Sequence, residues 1–190
     1  VAAFSGTLNG MTGTAWFPRI WFIKIGTDED GGTVLASWLK DGIRCVADSA
    51  IANPDKRYII NASVNIPVPY AEELNDLEDA VAYADSNNVL IVAAAGNTTF
   101  DDQNKPDAYI YYPALFSRRD SENYYSNVIC VGAVDSSCYA TDYTNYKGPD
   151  TCEVYVDIAA PGGLRCPNHP EVGDIFCPDY EIITLSAECD

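Results

Sequence analysis

VLIVAAAGNTTF, residues Val89 to Phe100, decides how this chain folds. Val89–Val92 is a short apolar run rich in β-branched residues, which reads as a buried strand. It passes into Ala93, Ala94, Ala95 and Gly96 and then meets a polar amide, Asn97. A strand that loses its bulk and ends in an amide has three readings: a helix cap, an N-x-[ST] glycan acceptor, or a place where backbone must come close to a ligand. The surrounding segments decide between them.

Upstream, PYAEELNDLEDAVAYADSNN (69–88) carries apolar residues at helical spacing with acidic residues in its first turn, and predicts an amphipathic helix. Before it, YIINASV (58–64) reads as a second strand. TVLASWLKDGIRCVADSAIANP (33–54) predicts a helix stopped at Pro54, and IWFIKI (20–25), bounded by Pro18 and Gly26, predicts another strand. Buried strands alternating with helices predict a parallel sheet covered on both faces. Downstream, VICVGAV (128–134), VYVDIAA (154–160) and EIITL (181–185) are further strand candidates. The connections between them exceed the roughly 12 to 15 residues of an ordinary loop, so they are expected to be ordered and functional.

Composition narrows the class. The 190 residues are 47% hydrophobic and 12% aromatic, which suits one packed domain over 1–190, with cysteine-rich loops at 98–127 and 162–181. Eleven basic against 28 acidic residues give a net charge of -17, which argues against nucleic acid and anionic membranes as partners. No apolar run approaches the roughly 20 residues of a membrane span, and VAAFSGTLNG lacks a signal peptide's basic flank. Seven cysteines (45, 130, 138, 152, 166, 177 and 189) without a C-x-x-C pair predict disulfides in an extracellular setting. Cys138 with Cys152 and Cys166 with Cys177 are candidate local staples, and the odd count leaves one thiol over. Cys45, inside an apolar helical pattern, reads as a buried, inert thiol.

Ligands of a parallel α/β sheet bind beyond the carboxyl ends of its strands, where Ser63, Asn65 and Asn97 converge. IINASVN, VLIVAAAGN, YYPA, VICVGAVDSS and VYVDIAAPG follow one another along the chain. Together they resemble the middle of a subtilisin-like serine protease domain (peptidase S8), from Val1 to about Gly162. The resemblance implies a three-layer α/β fold with a mostly parallel twisted sheet, incomplete at both ends. It implies that Asn97 is the oxyanion-hole donor and that Ala94, Ala95 and Gly96 leave room for the substrate's P1 side chain. Ser63, Val64 and Asn65 match the strand that pairs with substrate backbone, with Gly31 to Thr33 as the opposing edge. Glycine is usual in the family where this chain has Asn65. Pro113 matches a family proline that is often cis.

The family's triad runs Asp, His, Ser along the chain. VAAF resembles the continuation of the helix bearing H-G-T-H-V-A-G, and EIITLSAECD stops short of G-T-S-M-A. The expected function is therefore the central part of an extracellular serine endopeptidase, acting on peptide or protein substrates, whose triad lies in flanking segments or neighbouring subunits. Alone it is expected to be inert and unstable. His169 reads as a surface residue, and Ser186 lacks the nucleophile's context. A catalytically inactive protease-like module of an extracellular complex is the alternative; a nucleotide-binding domain would need a glycine-rich phosphate motif that is missing. Calcium is a possible cofactor, through Thr7 and Asn9 or through Asp28, Glu29 and Asp30. Asn61 and Asn97 both fit N-x-[ST], but each is expected at or in a buried strand, which makes the glycan match a coincidence.

Overall fold

The structure is a computed structural model, and it describes residues 18–26, 34–66, 71–97, 111–119, 121–135, 137–141, 143–145 and 156–163. Four strands, β1 (Tyr58–Ala62), β2 (Val89–Ala94), β3 (Val128–Val134) and β4 (Ile158–Pro161), form one sheet in the order β1-β2-β3-β4. All three pairings are parallel, as the alternation of strands and helices predicts. Two helices, α1 (Ala36–Ala52) and α2 (Ala71–Ser86), precede β1 and β2, and a 3-10 helix, Ala114–Ser117, precedes β3.

One sheet face is the core. Side chains alternate along a strand, so the register that sets Ile60 beside Ile91 and Ala93 beside Cys130 puts all four on the same face. Val89, Ile91, Ala93, Val128 and Cys130 join α1 residues Leu39 and Ile43, α2 residues Leu77 and Val81, and Phe116 in one contiguous apolar cluster. The opposite face, with Leu90, Val92 and Val131, is half-buried. On α1 the buried positions are Ala36, Leu39, Ile43, Val46 and Ala47, a stripe at helical spacing.

The two helices are tied at their outer sides as well. Lys40 donates to Asp76 at 3.1 Å, Tyr83 donates to Asp48 at 2.9 Å, and the Arg44 guanidinium sits 5.7 Å from the centre of the Tyr83 ring. Helix α1 closes at Asn53, whose backbone N–H and side-chain NH2 both donate to the Ser49 carbonyl at 3.1 Å, immediately before Pro54. Glu72 and Glu73 in the first turn of α2 face the positive end of its dipole.

Three expectations change. Residues 20–25 are not a strand: among the described residues they join no ladder, the adjoining Gly26 makes one isolated antiparallel bridge to Val34, and Phe22 is 94% exposed. The segment instead leans on α1 near Gly42 through Ile23 and Ile25, while Trp21 meets Tyr58 edge to face at 5.8 Å. Apolar composition alone makes no strand where no ladder partner is found among the described residues. Cys45 is exposed, because it lies two residues beyond Ile43 and so about 200° round the helix from the buried stripe. Asn61 and Asn97 are exposed too, Asn61 on the outward side of the edge strand β1, so burial does not explain away their acceptor motifs.

Cys45, Cys130 and Cys138 are free thiols, so the Cys138–Cys152 staple is not formed. Cys152, Cys166, Cys177 and Cys189 lie outside the described residues, as do EIITL, His169, Ser186, Gly31 to Thr33 and all of the 162–181 loop beyond Gly163; of 98–127, a segment that holds no cysteine, residues 111–119 and 121–127 are described.

Candidate active site

Four parallel strands direct four carboxyl ends to one edge of the sheet. Ala62 ends β1 beside Ala93 of β2, and the ladder between them stops there, so Ser63, Val64 and Asn65 follow the end of β1 while β2 runs on through Ala94 to Ala95 and Gly96. The sheet therefore assembles the site residues named from sequence into two adjacent segments. Ser63 and Asn65 are exposed, Val64 packs against the core, and Ser63 Oγ accepts from Asn61 Nδ2 at 3.3 Å. Ile66 then exchanges two backbone hydrogen bonds with Tyr112, at 3.1 and 3.3 Å, which fixes the far end of this segment.

The β2 segment ends abruptly. Ala95 is still laddered, its N–H donating to the Val131 carbonyl at 2.9 Å. Gly96 has φ 106°, a conformation that only glycine adopts without strain, and it turns the chain out of the sheet. Ala95 and Gly96 are buried, Ala94 is half-buried, and Asn97 emerges exposed. The turn at Gly96 is tightly packed: a Cβ there would meet Asn145 Nδ2 at 2.5 Å and the Tyr111 ring at 3.3 Å.

Sequence reading passed over DYTNY (142–146), of which Tyr143, Thr144 and Asn145 cross the ends of three strands in succession. Tyr143 Oη donates to the Gly162 carbonyl at 2.6 Å, just past β4. Thr144 Oγ1 accepts from the Ala133 N–H of β3 at 3.0 Å. Asn145 donates twice beyond β2, from its backbone N–H to the Gly96 carbonyl at 3.0 Å and from Nδ2 to the Ala95 carbonyl at 3.1 Å. No hydrophobic periodicity announces such a segment; its signal is a run of hydrogen-bonding residues that begins eight positions past the end of β3.

No histidine lies among the described residues of this edge. Burial pushes the Cys130 thiol up to about 12, with the Asp157 carboxylate adding to it, so Cys130 is no nucleophile. Tyr112 is raised by burial and then by Glu78, and stays a neutral phenol. Tyr112–Pro113 is cis, in line with the resemblance, and Pro113 is fully buried. Among the described residues no group of three or more His, Cys, Asp or Glu could hold a metal ion, and the calcium candidates at Thr7, Asn9, Asp28, Glu29 and Asp30 lie outside them. What the described edge offers is the exposed amide of Asn97, together with the exposed side chains of Ser63 and Asn65.

The family model described as the subtilase family matches residues 1–183. Thermitase of Thermoactinomyces vulgaris is 28% identical over 169 residues, covering 89% of this chain and 48% of its own. A thermophilic serine proteinase of Bacillus sp. (strain AK1) is 29% identical over 161 residues, covering 85% of this chain and 32% of its own. Among solved structures, sphericase superposes with a TM-score of 0.51 at 28% identity, over 70% of this chain and 40% of that one. The chain thus spans from about a third to about a half of the length of these curated relatives.

Proposed function

The chain belongs to the subtilase family, and from that membership we infer that it supplies the oxyanion donor and substrate-binding strands of a secreted serine endopeptidase. The nucleophilic Ser, the His and the Asp belong, in this reading, to segments outside these 190 residues. The Ser hydroxyl attacks the scissile carbonyl, the His takes the proton and later passes it to the leaving amine, and the Asp holds the imidazole in the right tautomer. As the carbonyl carbon becomes tetrahedral, its oxygen gains charge, and Asn97 Nδ2 donates to it. Ala94, Ala95 and Gly96 line the space for the P1 side chain. Ser63, Val64 and Asn65 pair with the substrate backbone as an added strand, which gives affinity through main-chain hydrogen bonds and leaves selectivity to side chains.

The observation that carries this reading is the break at Gly96, which delivers an exposed asparagine past the carboxyl end of β2, the strand that neighbours β1 and the 63–65 segment following it. Secretion rests on the cysteine content. No helix among the described residues is long and apolar enough to cross a membrane.

The test is labelling of the intact native protein with a fluorophosphonate probe, which modifies only an activated serine. Labelling that is blocked by a peptide aldehyde is expected. Absence of labelling in folded material would sink the endopeptidase reading and favour the inactive, structural module.

A further inference from the structure

Asn97 is exposed, and among the described residues no hydrogen bond anchors its side chain. Its aim is then set by the backbone it hangs from. That backbone is held by Asn145: the last two carbonyls before Asn97, those of Ala95 and Gly96, are both taken by this one residue. The bond to the Gly96 carbonyl fixes the plane of the peptide that joins Gly96 to Asn97. The Ala95 carbonyl, accepting from Asn145 Nδ2, fixes the plane before it. With the Ala95 N–H laddered to Val131, the chain entering Asn97 is held from both neighbouring directions.

We propose that Asn145 is a positioning residue for the reaction: its paired bonds to the Ala95 and Gly96 carbonyls set the direction in which the Asn97 amide points. The inference rests on the oxyanion reading of Asn97 for its catalytic meaning, though the positioning itself does not. Three features support it. Asn145 is only 5% exposed, so its side chain is a committed part of the interior. The contact is close enough that a Cβ on Gly96 would lie 2.5 Å from Asn145 Nδ2, so the pair is built around the absence of a side chain. Asn145 is itself registered against the sheet, because Thr144 is bonded to Ala133 of β3 and Tyr143 to Gly162 past β4. The position of Asn97 is thereby referred to three strand ends at once.

The experiment uses the intact protein and the variants Asn97→Ala, Asn145→Ala, Asn145→Asp and the double Asn97→Ala/Asn145→Ala. Asn145→Asp keeps the size and the backbone N–H but replaces the NH2 donor by an oxygen facing the Ala95 carbonyl. Misplacement of a catalytic group by about 1 Å costs on the order of 10²-fold, so a fall in kcat of about 10- to 100-fold with KM within about twofold is expected for both single Asn145 variants. The double variant should be no slower than Asn97→Ala alone. Independent losses that multiply in the double variant, or a kcat unchanged in the Asn145 variants where Asn97→Ala lowers it, would overturn the proposal. A second readout avoids activity: the Asn97 side-chain amide resonances, in protein labelled with 15N-asparagine, should shift or broaden in Asn145→Asp while the circular dichroism stays native. Unmoved resonances would overturn the proposal whatever the kinetics. If the resonances move but Asn97→Ala leaves kcat intact, the positioning stands and it is the oxyanion reading that fails.

Discussion

Asp157 and Cys130 hold each other by two hydrogen bonds. The Cys130 N–H donates to Asp157 Oδ2 at 2.8 Å, and the Asp157 N–H donates to the Cys130 carbonyl at 3.0 Å. This exchange sits one residue before β4 begins, so it sets where β4 joins the sheet and hence where Gly162 meets Tyr143. Replacing Asp157 by Ala removes the acceptor and leaves the Cys130 N–H without it. A loss of about 1 kcal/mol is expected, since Asp157 is exposed and water can replace part of the bond. Asp157→Asn keeps an oxygen at the same place and should lose less. Urea unfolding of the intact protein measures both.

Cys130 gives a pH prediction. Its thiol rises from 9.0 to about 12, so the folded state disfavours the thiolate. The stability this group contributes is fully present below the unfolded pKa of about 9, and it is lost as pH rises through the window up to about 12. Within that window the slope is at most about 1.4 kcal/mol per pH unit. Tyrosines and lysines titrate there as well, so the check is the difference between the wild type and Cys130→Ala in thermal unfolding between pH 8 and 11, roughly spanning the onset. The wild type should lose more stability than the variant; parallel curves would refute the assignment.

Gly96→Ala should be damaging on two counts. At φ 106° an alanine costs roughly 1–3 kcal/mol in backbone strain, and its Cβ would push Asn145 Nδ2 from the Ala95 carbonyl. Lower stability together with a lower kcat is expected, measured by thermal unfolding and steady-state kinetics on the same preparation.

Asn97→Ala, by contrast, should be nearly silent in stability because the side chain is exposed. In the endopeptidase reading kcat falls by about 10² to 10³, a magnitude whose reference case is itself a subtilisin. KM should barely move, since the bond forms as the oxyanion does.

Phe116 is fully buried between Tyr112, 4.9 Å away by ring centre, and Tyr125, 5.8 Å away and edge-on. Phe116→Ala is expected to cost about 3–5 kcal/mol. Because Tyr112 also carries the bridge to Ile66, the cavity should loosen the 63–65 segment, which hydrogen exchange at Ile66 would report.

Most of the architecture was legible from the chain because buried parallel strands and amphipathic helices write their burial into composition. VICVGAV became β3 at the expected bounds, and α2 followed its 3.6-residue pattern. IWFIKI misled because a strand is a relation between two segments, and a sequence pattern describes only one. Cys45 misled because a helix rich in apolar residues still has an outer face. The motifs located Asn97 and the 63–65 segment. Asn145 escaped notice because its importance lies in which carbonyls it reaches, 50 residues back along the chain.

The outer flank of the sheet bears on how this polypeptide behaves in solution by itself. Trp21, Phe22 and Ile59 project from it at 53%, 94% and 67% exposure, on a chain carrying a net charge of -17. Mutual repulsion keeps copies apart in dilute buffer, but at about 0.15 M salt the screening length falls to about 8 Å and the apolar flank can meet its like. Colloidal behaviour should therefore invert the usual rule for salting in: light scattering from these 190 residues ought to rise as salt is added, and arginine or a mild non-ionic detergent ought to reverse it.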